Sequence, residues 1–276
     1  MNKDDLGTRI KENYEMRARI YLPRRTYTIM RVDGRAFHNY TRGCTRPFDN
    51  SLMEDMDATC RSLCEQIEGA RLGYVQSDEI SILLTDFNGP QTQAWFDGNL
   101  NKMVSVSASI ATAEFNRTRL IRQALGDLPW APVQRKLLKS MEFAQFDSRA
   151  FTIPERIEVY NYFLWRQQDA TRNSISMAAQ ANFSHTMLQG KSSNEMQEML
   201  FQEKGINWSQ DYPAGFKRGR CAVRQEVTKD LEYIDKRTGE TRKVENVTRH
   251  EWQVVEPPQF SSDDRAWIMQ HIPEHF

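Results

Sequence analysis

Tyr27-Thr28-Ile29-Met30-Arg31-Val32-Asp33-Gly34 decides how this chain is read. Its β-branched and aromatic residues suit a pleated strand, and the glycine marks where the backbone leaves it. Asp33 therefore stands at a strand end. Downstream, Leu72-Gly73-Tyr74-Val75 and Ile80-Ser81-Ile82-Leu83-Leu84 are short apolar runs separated only by Gln76-Ser77-Asp78-Glu79. That pattern predicts a β-hairpin with an acidic tip. Between strand and hairpin, Asp49-Asn50-Ser51 supply helix-cap chemistry. Leu52, Met56, Cys60, Leu63, Cys64 and Ile67 then recur at the spacing of an amphipathic helix. A second helix is predicted from Ala94 to about Arg122, with Met103, Val106, Ile110 and Ala113 on one face. Strand, helix, hairpin, helix is most of a split, ferredoxin-like βαββαβ unit. The expected class is α+β, an antiparallel sheet with helices on one face.

Further out, the stretch from Gly126 to Pro154 holds Pro129, Pro132 and Pro154 and reads as irregular at its start. Helices are predicted over Glu155–Phe183 and Ser192–Glu203, the latter capped by Ser192 or Ser193. From Phe216 to Glu256 the pattern is strand-like, broken by a polar turn at Asp235-Lys236-Arg237-Thr238-Gly239-Glu240. No internal repeat interrupts this order.

The 276 residues are 39% hydrophobic and 27% charged, which suits a folded globular chain and excludes a mostly disordered one. No run approaches the ~18 apolar residues of a membrane span. Met1-Asn2-Lys3-Asp4-Asp5 lacks a basic-then-apolar leader, so a cytoplasmic location without a membrane partner is expected. Lys+Arg and Asp+Glu both number 37, which argues against gripping nucleic acid through bulk charge. Local patches remain. Arg9, Lys11, Arg17, Arg19, Arg24 and Arg25 face only Glu12 and Glu15 over that stretch, and Lys217-Arg218-Gly219-Arg220 is followed by Arg224. Solvated surface is the plainer reading of either patch. Of the four cysteines, Cys60 and Cys64 share a helix face, and no second Cys/His pair completes a zinc site. Reduced, structural thiols are expected.

The chemistry-bearing residues are carboxylates. If the Asp33 strand neighbours the hairpin, Asp33 and Asp78 project at the same sheet edge. Hard oxygen ligands there suit Mg²⁺, and a pair of ions would stabilise the attacking and leaving oxygens of a phosphoryl displacement. Glu79 would be a further ligand or an orienting group, and Gly34 lets backbone approach metal or phosphate. From spacing alone a plain Asp-Gly turn and a solvated hairpin tip are the more usual readings. Gly190-Lys191-Ser192 is no phosphate-binding loop, because the earlier glycine it needs falls at His185. Neither a Gly-x-Ser-x-Gly elbow nor a His-Glu-x-x-His pair occurs.

Arg31-Val32-Asp33-Gly34-Arg35-Ala36-Phe37-His38 resembles the first signature of the tRNA-histidine guanylyltransferase family of 3′–5′ polymerases, and Gln76-Ser77-Asp78-Glu79 resembles the second. Trp95-Phe96 followed by Lys102, Trp165-Arg166-Gln167-Gln168-Asp169, Met199-Leu200-Phe201 and Phe216-Lys217-Arg218-Gly219 follow in the family's order. The likeness runs from about Asp5 to Arg224. It implies a polymerase-palm-like catalytic domain over residues 1–150. A helical region and β-hairpin extension, residues 151–276, would pack on that palm. It further implies catalytic Asp33, Asp78 and Glu79, with two Mg²⁺ ions on Asp33, Asp78 and the Gly34 carbonyl. Arg35, Ala36, Phe37, His38 and Ser77 would line a nucleotide with these residues, and Arg46 and Lys102 would neutralise phosphate. The implied substrates are tRNA, ATP and GTP or another nucleoside triphosphate, and the implied assembly is a homodimer or homotetramer. The family adenylylates the tRNA 5′ end and then lets the 3′-hydroxyl of a nucleoside triphosphate displace AMP.

One departure bears on specificity. Family members that add a single G to tRNA-histidine carry His-Ile-Asn-Asn where this chain has Thr171-Arg172-Asn173-Ser174. The resemblance is therefore greatest to the guanylyltransferase-like branch, which repairs 5′-truncated tRNA by templated addition. Non-templated G addition stands as the alternative, and a palm-domain nucleotide cyclase as a second. A tRNA-binding module without catalysis is the third, disfavoured because binding a polyanion has no need of clustered carboxylates.

Overall fold

We describe a computed structural model of the chain, covering residues 5–124, 143–234, 237, 239–261 and 265–275. The prolines at 129 and 132 and part of the polar turn at 235–240 lie outside the described residues. An N-terminal arm, α1 (Asp5–Ile10) continued by a π-helical turn (Lys11–Glu15) and a 3-10 turn (Met16–Ala18), leads into β1 (Tyr27–Gly34). Then come α2 (Phe37–Tyr40), α3 (Asn50–Gln66), β2 (Ala70–Gln76), β3 (Glu79–Leu84), α4 (Leu100–Ala124) and β4 (Phe146–Ile153). The remainder is mainly α5 (Arg156–Asn182), α6 (His185–Leu188), α7 (Ser193–Lys204), α8 (Trp208–Asp211) and α9 (Ala214–Arg218). The long strands β5 (Arg220–Ile234) and β6 (Thr241–Val255) and a short α10 (Ala266–Met269) complete it.

All six strands form one antiparallel sheet, ordered β4-β1-β3-β2-β5-β6. Its first four strands have the order of a ferredoxin-like βαββαβ unit, as the sequence pattern predicts. Strand alternation gives each residue of β1 and β3 a face. Met30, Val32, Ile80, Ile82 and Leu84 pack under α3 and α4 with Met56, Leu63 and Phe115. Tyr27, Ile29, Tyr74 and Leu83 pack on the other face against Val159, Tyr160 and Phe163 of α5 and Ile268 and Ile272 near the C-terminus. Thus α3 and α4 share one face, while α5 and the C-terminal segment cover the opposite one. A third core lies between α5, α7 and α8, around Ile175, Ala179, Leu200 and Trp208.

Local chemistry explains the helix starts. The Asp49 carboxylate accepts from the Leu52 amide at 2.9 Å, capping α3, and Ser192 and Glu195 form a reciprocal capping box on α7. Asp55, fully buried on α3, holds Arg119 at 3.0 Å and Arg122 at 2.9 Å on α4 and so ties the two helices. The cysteines are free thiols. A side chain at Gly73 would meet the Cys60 and Cys64 sulfurs at 2.7 Å each, so these thiols fill space against β2.

Two predicted spans shift, and one strand goes unpredicted. Helix α4 begins at Leu100 rather than Ala94, because Phe96 and Asp97 take left-handed φ of 50° and 54°. The chain turns there so that the Leu22 amide reaches the Gly98 carbonyl and the Leu100 amide reaches the Ile20 carbonyl, both at 2.9 Å. Strand β5 begins at Arg220, not Phe216, since Ala214–Arg218 is helical. Strand β4 has no counterpart in the sequence reading. It is an edge strand whose Asp147 and Arg149 break the apolar alternation.

Candidate active site

Alternation along β1 puts Arg31 and Asp33 on the same face as Ile29, the α5 face. Asp33 is the register partner of Glu79 on β3 and of Asp147 on β4, at the sheet end where β1, β3 and β4 finish together. The β2–β3 hairpin closes on Ser77 and Asp78 alone, since Gln76 and Glu79 are already paired. Ser77 adopts a φ of 49° there. The Gly34 amide donates to the Asp78 carbonyl at 3.0 Å, which fixes the hairpin tip beside the end of β1. Asp33, Gly34, Ser77, Asp78 and Glu79 are thereby brought together, from strand ends and a two-residue turn.

The three acids differ in environment. Asp33 is 30% exposed and makes only longer charge contacts, to Arg31 at 3.8 Å and Arg149 at 3.7 Å. Asp78 accepts from the Ser77 hydroxyl at 3.0 Å. Its carboxyl is pushed above the ordinary carboxylate range, chiefly by burial and further by the neighbouring Asp33 charge. Glu79 is 5% exposed. Its Oε2 accepts from Arg31 and, at 2.7 Å, from Arg166 of α5, while Oε1 has no partner. Burial raises its carboxyl too, and the two guanidinium groups oppose that rise.

Asp33 and Asp78 thus form a like-charged, all-oxygen pair, which fits a hard divalent cation such as Mg²⁺ better than zinc. Among the described residues no group of three or more His, Cys, Asp and Glu side chains gathers as a metal cage. A Mg²⁺ ion needs no such cage, since water, backbone carbonyl and substrate phosphate complete its shell.

Other predicted residues take varied places. The Arg35 amide and guanidinium both bond Gln145, each at 2.8 Å. Ala36 has a φ of 53° and starts α2, where His38 is exposed. Phe37 is a core residue: its ring packs on Phe115 and Phe146, and a side chain on Gly34 would strike it at 2.3 Å. Arg46 is exposed in the loop leading to Phe48 and Asp49. These two line a cleft with Ser77, Asn173 and Phe216, and the Phe48 and Phe216 rings stack at 4.8 Å. Lys102 stands apart within the chain. It lies at the start of α4, over the Phe96 ring, whereas α4 reaches β4 through Ser107 and the Gly34 end near Thr112 and Asn116. At 1.5 Å per residue, Lys102 is ~20 Å back along the helix from Asn116.

A family model, tRNAHis guanylyltransferase, matches residues 8–154, more than half the chain and all of the βαββαβ unit. The chain belongs to this family. Like the tRNAHis guanylyltransferases, it is a nucleotidyltransferase. It is 42% identical to a bacterial tRNA(His) guanylyltransferase (Thg1)-like protein solved in complex with ATP, over 97% of this chain and 99% of that one, with a TM-score of 0.76. A bacterial Thg1-like protein in complex with GTP is 40% identical, with a TM-score of 0.73, covering 98% and 99% of the two chains. Among curated relatives, the tRNA(His) guanylyltransferase of Debaryomyces hansenii is 25% identical over 89% of this chain and 92% of its own.

Several residues of the site escape the sequence reading. Arg166, 2% exposed, comes from α5, beyond the matched segment, and also bonds Asp169 at 2.9 Å. Its neighbour in the same quoted motif, Trp165, is stacked on that guanidinium at 4.3 Å. Arg31 carries a readable signal, being two residues from Asp33 on one strand and so on its face. Asp147 and Arg149 carry none, because only pairing of β4 with β1 brings them to Asp33.

Proposed function

We propose that this nucleotidyltransferase extends the 5′ end of tRNA, by templated addition to 5′-truncated molecules. The observation that carries the reading is the pairing of Asp33 with Asp78, two carboxylates held side by side at the end of β1 by the Gly34–Asp78 hydrogen bond. Asp33, Asp78 and the Gly34 carbonyl would hold two Mg²⁺ ions, which supply charge stabilisation for the attacking and leaving oxygens. In the first step an oxygen of the tRNA 5′-monophosphate attacks the α-phosphorus of ATP and pyrophosphate leaves. In the second, the 3′-hydroxyl of a nucleoside triphosphate attacks the 5′ phosphorus and AMP leaves. An RNA with a 5′-triphosphate bypasses the first step.

This chain's residues bind and orient. The backbone from Gly34 to His38 and the Ser77 hydroxyl cradle the triphosphate, and Arg46 offsets its charge. The cleft beside Ser77 takes the nucleoside, with Phe48 and Phe216 as an apolar wall. Arg31 and Arg166 neutralise Glu79 so that the end of the sheet is not overloaded with negative charge when polyphosphate arrives. Residues 1–150 act as the palm and 151–276 as its extension, in a cytoplasmic homodimer or homotetramer. No helix among the described residues is long and apolar enough to cross a membrane.

Templating rests on the stretch Thr171-Arg172-Asn173-Ser174, where a histidine-specific enzyme would differ. Here Arg172 is bound to Asp169 at 3.0 Å, and Asn173 and Ser174 line the cleft. The test supplies 5′-labelled tRNA lacking its first nucleotide, with Mg²⁺, ATP and each nucleoside triphosphate separately. Extension only by the complement of the opposing base is expected. G addition whatever the opposing base would replace templating with the histidine-tRNA activity. No extension, even from 5′-triphosphorylated tRNA, would defeat the reading altogether.

A further inference from the structure

We infer that the N-terminal arm is a docking surface for the phosphate backbone of the RNA substrate, remote from the reacting atoms. Three observations carry this. No residue of the arm's three helical segments, from Asp5 to Ala18, is buried. The arm is joined to the body by the Leu22–Gly98 and Leu100–Ile20 backbone bonds and by a Tyr21–Asn99 bridge. Its root is thus tied to the body while the rest of it stays unburied.

The second observation is charge. From residue 5 to 25 there are six arginines and lysines against Asp5, Glu12 and Glu15, in a chain of zero net charge. Arg9, Lys11, Arg17 and Arg19 are all exposed, and among the described residues none of them has an ion pair or side-chain hydrogen bond. Cations elsewhere on the surface are commonly matched, as Arg117 is by Glu114, Arg156 by Glu274 and Arg172 by Asp169. The third is the interleaving of aromatics. Tyr14 is 68% and Tyr21 51% exposed on the same arm. Unpaired cations are costly to bury in a protein interface, whereas phosphates take them with release of counterions and bases stack on open rings.

Position fits a binding role without catalysis. The arm roots beside the start of β1, and Asp33 lies at the other end of that strand. Eight residues at 3.3 Å each put the two ~25 Å apart. A structured RNA whose 5′ end reaches Asp33 spans that distance, while a lone nucleotide does not. The inference rests on tRNA being the substrate, so the experiment separates the two.

Full-length Arg9→Glu/Lys11→Glu/Arg17→Glu/Arg19→Glu is compared with the parent for tRNA binding by fluorescence anisotropy across a salt series. Mg-ATP binding and mass by light scattering are measured on both. The expected result is tRNA affinity about tenfold or more weaker at 0.1 M salt, and a slope of log K on log salt shallower by about 3.6, one phosphate contact for each of the four lost cations. ATP affinity and oligomer mass stay unchanged. Affinity and salt slope equal to the parent's overturn the inference. So does a loss seen only where the variant has also dissociated, which makes the arm a contact between copies. A milder Arg17→Gln/Arg19→Gln variant, expected to flatten the slope by about half as much, guards against an effect of the added negative charge. If the parent itself neither binds nor extends tRNA, the proposed function fails and the arm's role falls with it.

Discussion

Asp33 and Glu79 are register partners across the β1–β3 ladder, yet only Glu79 is locked in hydrogen bonds to cations. Arg31 and Arg166 both bond one oxygen of Glu79, whereas Asp33 meets Arg31 and Arg149 only at 3.7–3.8 Å. Two carboxylates facing each other would repel. The arginines convert one into part of a cluster that is no longer negative and leave the other to act.

That asymmetry predicts different outcomes for the acids. Asp33→Asn and Asp78→Asn are each expected to lower 5′-nucleotide addition by at least ~10³-fold, a loss typical of removing a main electrostatic element of a site. The fold should survive, because burial and like charge already disfavour ionised Asp78. Extension assays with thermal melts on both variants check this, and chelation of divalent ions should reproduce the loss in the parent.

Removing Arg166 should be costly in another way. Arg166→Met leaves Glu79 buried with one cation instead of two, and ~3 kcal/mol of stability is expected to be lost, as when a buried pair is broken. Paired with Glu79→Gln, the loss should be clearly less than additive. Urea denaturation of the two single variants and the double variant closes the cycle.

At Gly34, an added methyl group would lie 2.3 Å from the Phe37 ring. Gly34→Ala should therefore destabilise by ~1–3 kcal/mol through overpacking and displace the strand end that carries Asp33. Adding Phe37→Leu makes room and is expected to recover stability more than activity. Denaturation midpoints beside extension rates distinguish the two.

Far from the site, Glu195 gives a pH signature. The Ser192 backbone amide, then the Ser192 hydroxyl and Lys191, hold its carboxyl down to about 2 from the ordinary 4.5. Its folded value lies below its unfolded one, so the stability it adds is present above 4.5 and is lost as the pH falls toward 2. Parent and Glu195→Gln should thus differ in melting temperature at neutral pH and converge in acid. Melts taken at unit steps between pH 7 and pH 2 test it.

How much of this was legible in the sequence depended on the range of the interaction. Strand, hairpin and helix periods reported β1, β2, β3, α3 and α5 because each buries a regular face. The caps at Asp49 and Ser192 were readable because a cap is a contact three residues long. The left-handed turn at Phe96 and Asp97 was not, since it answers to Leu22 and Ile20, some 75 residues earlier in the chain. Strand β4 was hidden for a like reason: Asp147 and Arg149 look like loop residues until β1 lies beside them. At the site, the family signatures pointed to Asp33 and Asp78. Arg166 stood inside a quoted motif with no role, because nothing local connects it to Glu79.

That separation has a consequence for how the enzyme is made. Arg166 follows Glu79 by 87 residues, and helix α5, which presents it, lies across the face of a sheet whose central strands were synthesised much earlier. A growing chain therefore carries Asp33, Asp78 and Glu79 out of the ribosome with only part of their counter-charge, that of Arg31 on the same strand as Asp33. It acquires the buried counter-charge only once α5 has emerged and settled, so maturation of the site's electrostatics trails the birth of its acids.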